Sequence, residues 1–190
     1  MITIVSGLPR SGTSLMMQML VAGGMSPLTD GERVADTDNP RGYYEWEPIK
    51  KLSQDPNCID QAEGKVVKVI SQLLFALPSA RDYQIVFLDR PLPEVVASQT
   101  EMIRRRGTTG AALGPLALIA GLQAHLNQVS SLLERRSEIR VLRMPYHDVL
   151  GDPRKTAEKL QRFLQQSLDI DSMERQVDQS LYRQRSEKTA

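Results

Sequence analysis

Ile2-Thr3-Ile4-Val5-Ser6-Gly7-Leu8-Pro9-Arg10-Ser11-Gly12-Thr13-Ser14, continuing through an apolar stretch to Val21, is the run of sequence on which the fold turns. Residues 2–6 form a short, nearly continuous apolar run, the pattern of a strand buried on both faces. Residues 12–23 carry a helical pattern that Gly23-Gly24 stops. Between strand and helix, Pro9, Arg10, Ser11, Thr13 and Ser14 crowd round Gly7 and Gly12. Glycine lets a backbone approach an anion closely, and the start of a helix points unpaired N–H groups at it. A plain turn would need neither the arginine nor the three hydroxyl side chains, so the stretch predicts a loop that cradles a phosphate or sulfate.

Outward from this loop, strands are expected at 65–69, 84–88 and 139–142. Helices are expected at 71–77, 92–106, 116–135 and 153–166, with a shorter one at 46–52 and Asp152 as a natural N-cap. Strands that alternate with helices imply an α/β fold, a three-layer α/β/α arrangement around a mainly parallel sheet with right-handed crossovers. Ligands of such sheets sit beyond the carboxyl ends of the strands. The loop, Lys68 and Arg90 all fall at such ends, which points to one shared site. The stretches 25–45 and 107–115 read as long loops, and loops of that length in a compact domain are usually functional. Residues 180–190 read as a polar tail that frays.

The chain has 190 residues, 41% apolar and 25% charged, with a formal net charge of +1. That suits one domain over 1–190 with one core. A net charge so close to zero supplies no global basic field, so nucleic acid is not an expected partner. No apolar stretch reaches the length of a membrane span, and the sequence starts directly in a strand without a basic leader. The single Cys58 cannot form an internal disulfide and has no partners at metal-ligand spacing. The expected location is the cytoplasm, with no membrane, no metal and an unknown oligomeric state.

The spacing from Gly7 to Gly12 fits the Walker frame G-x-x-x-x-G, but Thr13 stands where the Walker lysine would, and the cation is Arg10, inside the loop. The loop Pro9-Arg10-Ser11-Gly12-Thr13-Ser14 resembles the 5′-phosphosulfate loop of sulfotransferases that use 3′-phosphoadenosine 5′-phosphosulfate (PAPS). Cytosolic members read P-K-S-G-T-T there, and tyrosylprotein and many bacterial members read P-R-S-G-T-T or -S. Arg90 and Ser98 follow the strand at 84–88 with the eight-residue spacing of the pair that binds the 3′-phosphate in that family. Arg143 to Pro153 and the helix end Phe163-Leu164 are similar to the family's Y-E-D-L-x-x-D-P segment and F-L helix end. The resemblance runs from about residue 2 to 166 and implies a P-loop NTPase-like fold.

It also implies transfer of a sulfuryl group from PAPS to a small-molecule hydroxyl or amine. Pro9, Arg10, Ser11, Gly12, Thr13, Ser14, Arg90 and Ser98 would bind the donor, without metal. Arg10 takes the place of the cytosolic members' catalytic lysine. Lys68 matches the lysine of their K-T-H segment and would be a second cation. Ile70 stands where that segment carries its histidine, so the base must come from elsewhere. The tyrosylprotein branch uses a glutamate after the first helix, which makes Glu32 the first candidate and Glu45 the second. His125 and His147 read as structural. Arg183 and Arg185 could stand in for the family's C-terminal R-K-G segment, which the sequence lacks. Two alternatives stay open: a P-loop nucleotide kinase, with Asp89 its one metal-binding candidate, and a catalytically silent nucleotide-binding module.

Overall fold

The computed structural model describes residues 1–32, 36, 42–105, 107 and 113–178. Strand β1 (Ile2–Gly7) leads into helix α1 (Thr13–Ala22) and then the two-residue strand β2 (Pro27–Leu28). 3₁₀ segments at Glu47–Lys51 and Pro56–Ala62 precede β3 (Val66–Lys68), and another at Ser71–Ala76 follows it. After them come β4 (Tyr83–Asp89), α2 (Leu92–Arg105), α3 (Pro115–Arg135), β5 (Ile139–Pro145), α4 (Tyr146–Gly151), α5 (Pro153–Leu164) and α6 (Ile170–Glu174). The strands form one sheet in the order β2-β3-β1-β4-β5, and every pairing is parallel. The architecture is the expected three-layer, P-loop-like α/β fold.

Alternation along β1 and β4 divides the core in two. Ile2, Ile4, Ile85 and Phe87 face one side, where Trp46, Ile49, Leu74, Val129 and Leu133 cover them. Val5, Val86 and Leu88 face the other, against Met16, Met17, Met19 and Leu20 of α1 and Leu160 and Leu164 of α5. β1 is buried along its whole length, which explains its unbroken apolar run.

All four expected strands are present. The fifth, β2, lies inside the stretch read as a loop, because two residues that include a proline carry no alternation. The short helices expected at 46–52 and 71–77 are 3₁₀ segments. The segment at Pro56–Ala62 and helices α4 and α6 were not expected, being too short to show a 3.6-residue period. Residues 33–35 and 37–41 of the first long loop and 108–112 of the second lie outside the described residues. So do the polar tail from 180 and, with it, Arg183 and Arg185.

The register places the functional edge. Val5 pairs with Lys68, Gly7 with Leu88 and Asp89 with Pro145, so the ends of β1, β3, β4 and β5 lie side by side. Helix α3 runs antiparallel to them. Just past its C-terminal end, Arg136 donates to Leu77 O and Pro78 O at 2.8 and 2.9 Å and lies 5.9 Å from the ring of Tyr83, the first residue of β4. The N-terminal end of α3 therefore lies toward the carboxyl edge of the sheet.

Candidate active site

The loop after β1 is built on two close approaches. A Cβ at Gly7 would lie 2.4 Å from Ser11 Oγ and 2.8 Å from the backbone oxygen of Leu88. Gly12 has φ 101°, and a Cβ there would lie 2.5 Å from the Tyr146 ring. Any other residue would push the loop off β4 or off Tyr146. Gly12 also opens α1 with no side-chain cap and no acidic residue in the first turn, leaving the helix's first N–H groups to a ligand. Ser11 Oγ and Ser6 Oγ are buried and have no hydrogen-bond partner among the described residues. Leaving such an atom unpaired costs about 1–3 kcal/mol. Residues 7–14 contain donors and a cation but no carboxylate, so the site fits an oxyanion such as a phosphate or sulfate.

Arg10 has φ 73°, a left-handed backbone that costs a non-glycine residue about 1–3 kcal/mol and persists only where its surroundings enforce it. Here two bonds do so. Arg10 Nε donates to Ser98 Oγ at 3.0 Å, and Arg90 Nη1 donates to the Arg10 carbonyl at 2.9 Å. One residue earlier, Gln99 Nε2 donates to Pro9 O at 3.1 Å. Helix α2 thus grips the loop through Ser98 and Gln99. Four residues expected from separate motifs, Pro9, Arg10, Arg90 and Ser98, meet in one cluster.

Arg90 is held from three sides. Its Nε lies 3.0 Å from Glu94 Oε2, its guanidinium carbon sits 4.7 Å from the Tyr146 ring centroid, and its Nη1 makes the bond to Arg10. Glu94, its side chain 1% exposed, bridges Arg90 to His147, whose Nε2 is 3.0 Å from Oε1. Burial holds the Tyr146 phenol above its ordinary range, so the ring under the loop stays neutral. Glu94 and Tyr146 are the residues that motif reading passed over as site components. The i,i+4 spacing of Arg90 and Glu94 was a visible signal for the first; nothing in the sequence places Tyr146 under Gly12. Asp89 pairs with Arg143 at 3.0 Å, while burial raises its carboxyl above the usual range and the arginine opposes that shift.

Lys68, at the end of β3 and 7% exposed, reaches the start of α1. Its Nζ lies 3.5 Å from Ser14 Oγ and 3.7 Å from Glu45 Oε1, and it donates to the Tyr43 carbonyl. The structure therefore brings Lys68 to the loop and Glu45 to Lys68. Glu45 also lies 3.7 Å from Lys50 Nζ. Glu32 stands apart: it is exposed, and its backbone N–H donates to Asp30 Oδ1. Tyr43 and Trp46 are buried, Trp46 within the core under β1. His147 pairs with Glu94, and His125 Nε2 lies 2.8 Å from Ser71 Oγ. Among the described residues, no cluster of His, Cys, Asp and Glu is arranged to hold a metal, and no helix is long and apolar enough to cross a membrane.

No protein-family model and no curated protein matches the sequence. Solved structures do resemble it. A sulfotransferase domain from the curacin biosynthetic pathway aligns with a TM-score of 0.53 at 16% identity, over 90% of this chain and 76% of its own. The sulfotransferase domain of the Synechococcus PCC 7002 olefin synthase gives 0.56 at 17% identity, over 90% and 75%. A sulfotransferase from Mycobacterium avium gives 0.60 at 14% identity, over 92% and 66%. At these identities the likeness is one of fold, and the chain has the fold of the sulfotransferases.

Proposed function

We propose that this chain transfers a sulfuryl group from PAPS to a hydroxyl or amine acceptor. The observation that carries the reading is the meeting of Arg10, Arg90 and Ser98 at the uncapped start of α1, beside the unpartnered Ser11 Oγ. The sulfotransferase fold supports it. Bound PAPS would supply an activated sulfuryl group and a phosphate leaving group. Thr13, Ser14 and the first N–H groups of α1 would hold the 5′-phosphate, and Ser98 and Arg90 the 3′-phosphate. Arg10 would place a permanent charge where negative charge grows on the leaving oxygen; it cannot give up a proton near neutral pH. Lys68 would be the second cation, oriented by Glu45 and Ser14. Of the two carboxylates weighed as base, Glu45 is the one beside this cation, and Glu32 would need the loop to bring it in.

The kinase alternative draws no support from the geometry. Thr13 holds the Walker lysine position, and Asp89 is committed to Arg143. The test is calorimetric titration with adenosine 3′,5′-bisphosphate and with ADP, both without metal, on wild type and Arg10→Ala. The bisphosphate is expected to bind with a Kd on the order of 1–10 μM, at least about tenfold tighter than ADP, and to lose most of that affinity in the variant. Equal binding of the two nucleotides would sink the two-phosphate site and the reading with it.

A further inference from the structure

A cation holds a phosphate less strongly when a carboxylate is already paired with it, and Arg90 is in that position. Its Nε lies 3.0 Å from Glu94 Oε2, with the arginine side chain 7% exposed and the glutamate 1%. Together the two carry no net charge. Glu94 does not stop at Arg90, because its other oxygen, Oε1, lies 3.0 Å from His147 Nε2. The three side chains therefore sum to zero when the imidazole is neutral and to one positive charge when it is protonated.

The sheet brings His147 to this place. Asp89 pairs with Pro145 across β4 and β5, so the chain leaves the two strands side by side, at Arg90 on one and Tyr146 on the other. The Tyr146 ring centroid is 4.7 Å from the Arg90 guanidinium. His147, the next residue, meets Glu94 from the solvent side, its own side chain 48% exposed. Two consecutive residues at the start of α4 thus hold Arg90 from two directions, Tyr146 directly and His147 through Glu94.

The chemistry of the contact gives the two forms of the imidazole different effects. A carboxylate only accepts, so the hydrogen toward Glu94 sits on Nε2. The neutral ring fixes the carboxylate in place. A second proton, on Nδ1, also offsets its charge and leaves the charge of Arg90 to an incoming anion. Imidazole makes this change between pH 5 and 8. The surrounding charges are otherwise engaged or fixed. Arg10 lies across the Tyr146 ring, close enough to act on the phenol, and keeps its charge at any of these pH values. Arg143 of β5 pairs with Asp89. On α5, which packs against α4, Arg154 pairs with Asp171 and Glu174, and Lys155 is exposed. Asp152 caps α5, and Asp148 is exposed on the helix of His147 itself.

We infer that His147 is a positioning residue of the donor site: acting through Glu94, it orients Arg90 and, when protonated, strengthens the hold of Arg90 on the donor's 3′-phosphate. This rests on the sulfuryl-transfer reading for the identity of the anion, not for the Arg90–Glu94–His147 arrangement.

The test is calorimetric titration of adenosine 3′,5′-bisphosphate, at about pH 5.5 and about pH 8.5, into wild type, His147→Gln, His147→Lys and His147→Ala. The ligand's phosphates titrate in this range too, so each variant is read as a ratio to wild type at the same pH. His147→Gln keeps a donor for Glu94 without a charge. It should bind about fivefold more weakly than wild type at the lower pH and equally at the higher. The half-exposed imidazole sets that effect at the low end of coupling between sites. His147→Lys, charged throughout, should match wild type at the lower pH and bind about fivefold more tightly at the higher. His147→Ala, with neither bond nor charge, should be weaker than His147→Gln at both. A purely structural role would shift a variant's ratio equally at both pH values. A His147→Gln ratio unchanged by pH, or His147→Ala binding as well as His147→Gln, would overturn the inference. No binding of the bisphosphate to wild type would count against the sulfuryl-transfer reading. Inorganic phosphate is then the probe, and ratios without pH dependence there would overturn the inference in turn.

Discussion

The two sides of the carboxyl edge are made differently. On the side of β1, β4 and α2, charges are buried and paired: Glu94 lies between Arg90 and His147, and Arg10 is clamped at both its carbonyl and its side chain. On the side of β3 and α3, the polar groups past Lys68 are few and neutral, and apolar side chains stand in the open. The first side is preorganised for a ligand of fixed shape and charge, since its dipoles and cations are set before anything binds. The second side leaves large apolar side chains open to solvent.

The contrast breaks most severely at Glu94. Glu94→Ala leaves the Arg90 guanidinium without its buried carboxylate, a loss on the order of 3–5 kcal/mol. At about 2–4 °C per kcal/mol for a chain of this size, thermal melting should show a drop of roughly 6–20 °C. A drop of a degree or two would mean that Arg90 swings out to water, and the charged side would then be no more rigid than the other. Gly12→Ala comes next. A left-handed backbone and a Cβ 2.5 Å from the Tyr146 ring should cost about 1–3 kcal/mol in chemical denaturation. Pairing it with Tyr146→Leu should recover the steric part and leave the backbone part.

On the neutral side the effects are smaller. His125 is held neutral in the fold, below an unfolded pKa of about 6.5. Its contribution to stability is full above that value and is lost as pH falls through the folded pKa. His125→Gln should therefore flatten the acid limb of melting temperature against pH between neutrality and about pH 5, and an unchanged limb would show that the imidazole charges freely. Smallest of all, Leu116→Glu at an 84% exposed position should change unfolding free energy by no more than about 0.5 kcal/mol. A larger loss would make that surface part of the core and blur the distinction between the two sides.

Sequence made the charged side legible because its parts are local. Gly7 and Gly12 lie five residues apart, so spacing brought them forward, and Arg90 and Ser98, in one strand-to-helix passage, were brought forward by the resemblance to the sulfotransferase pair. β1, β3 and β4 were legible because burial on both faces leaves an apolar run, whereas β5, at the sheet border, showed only its shorter stretch Ile139–Leu142. What stayed hidden depends on contacts across the chain. Tyr146 under Gly12, Glu45 beside Lys68 and Ser71 against His125 join residues far apart in sequence, and no local pattern announces any of them. Glu32 illustrates the reverse: its position after the first helix suggested a base, while the segment that turns back to Lys68 carries Glu45 instead.

The sheet's two borders have a consequence for how copies of this chain meet one another. One border is β2, only Pro27 and Leu28, and a proline offers no N–H to an incoming strand. The other is β5, which carries exposed Arg140 and Arg143 and ends in Pro145. An added strand would meet either a border two residues long or one that carries an exposed arginine on each face, Arg140 over Phe163 and Arg143 paired with Asp89. A sheet so rich in buried aliphatic residues would otherwise be an effective seed for edge-to-edge aggregation, and among the described residues the proline of β2 and the arginines of β5 work against that growth.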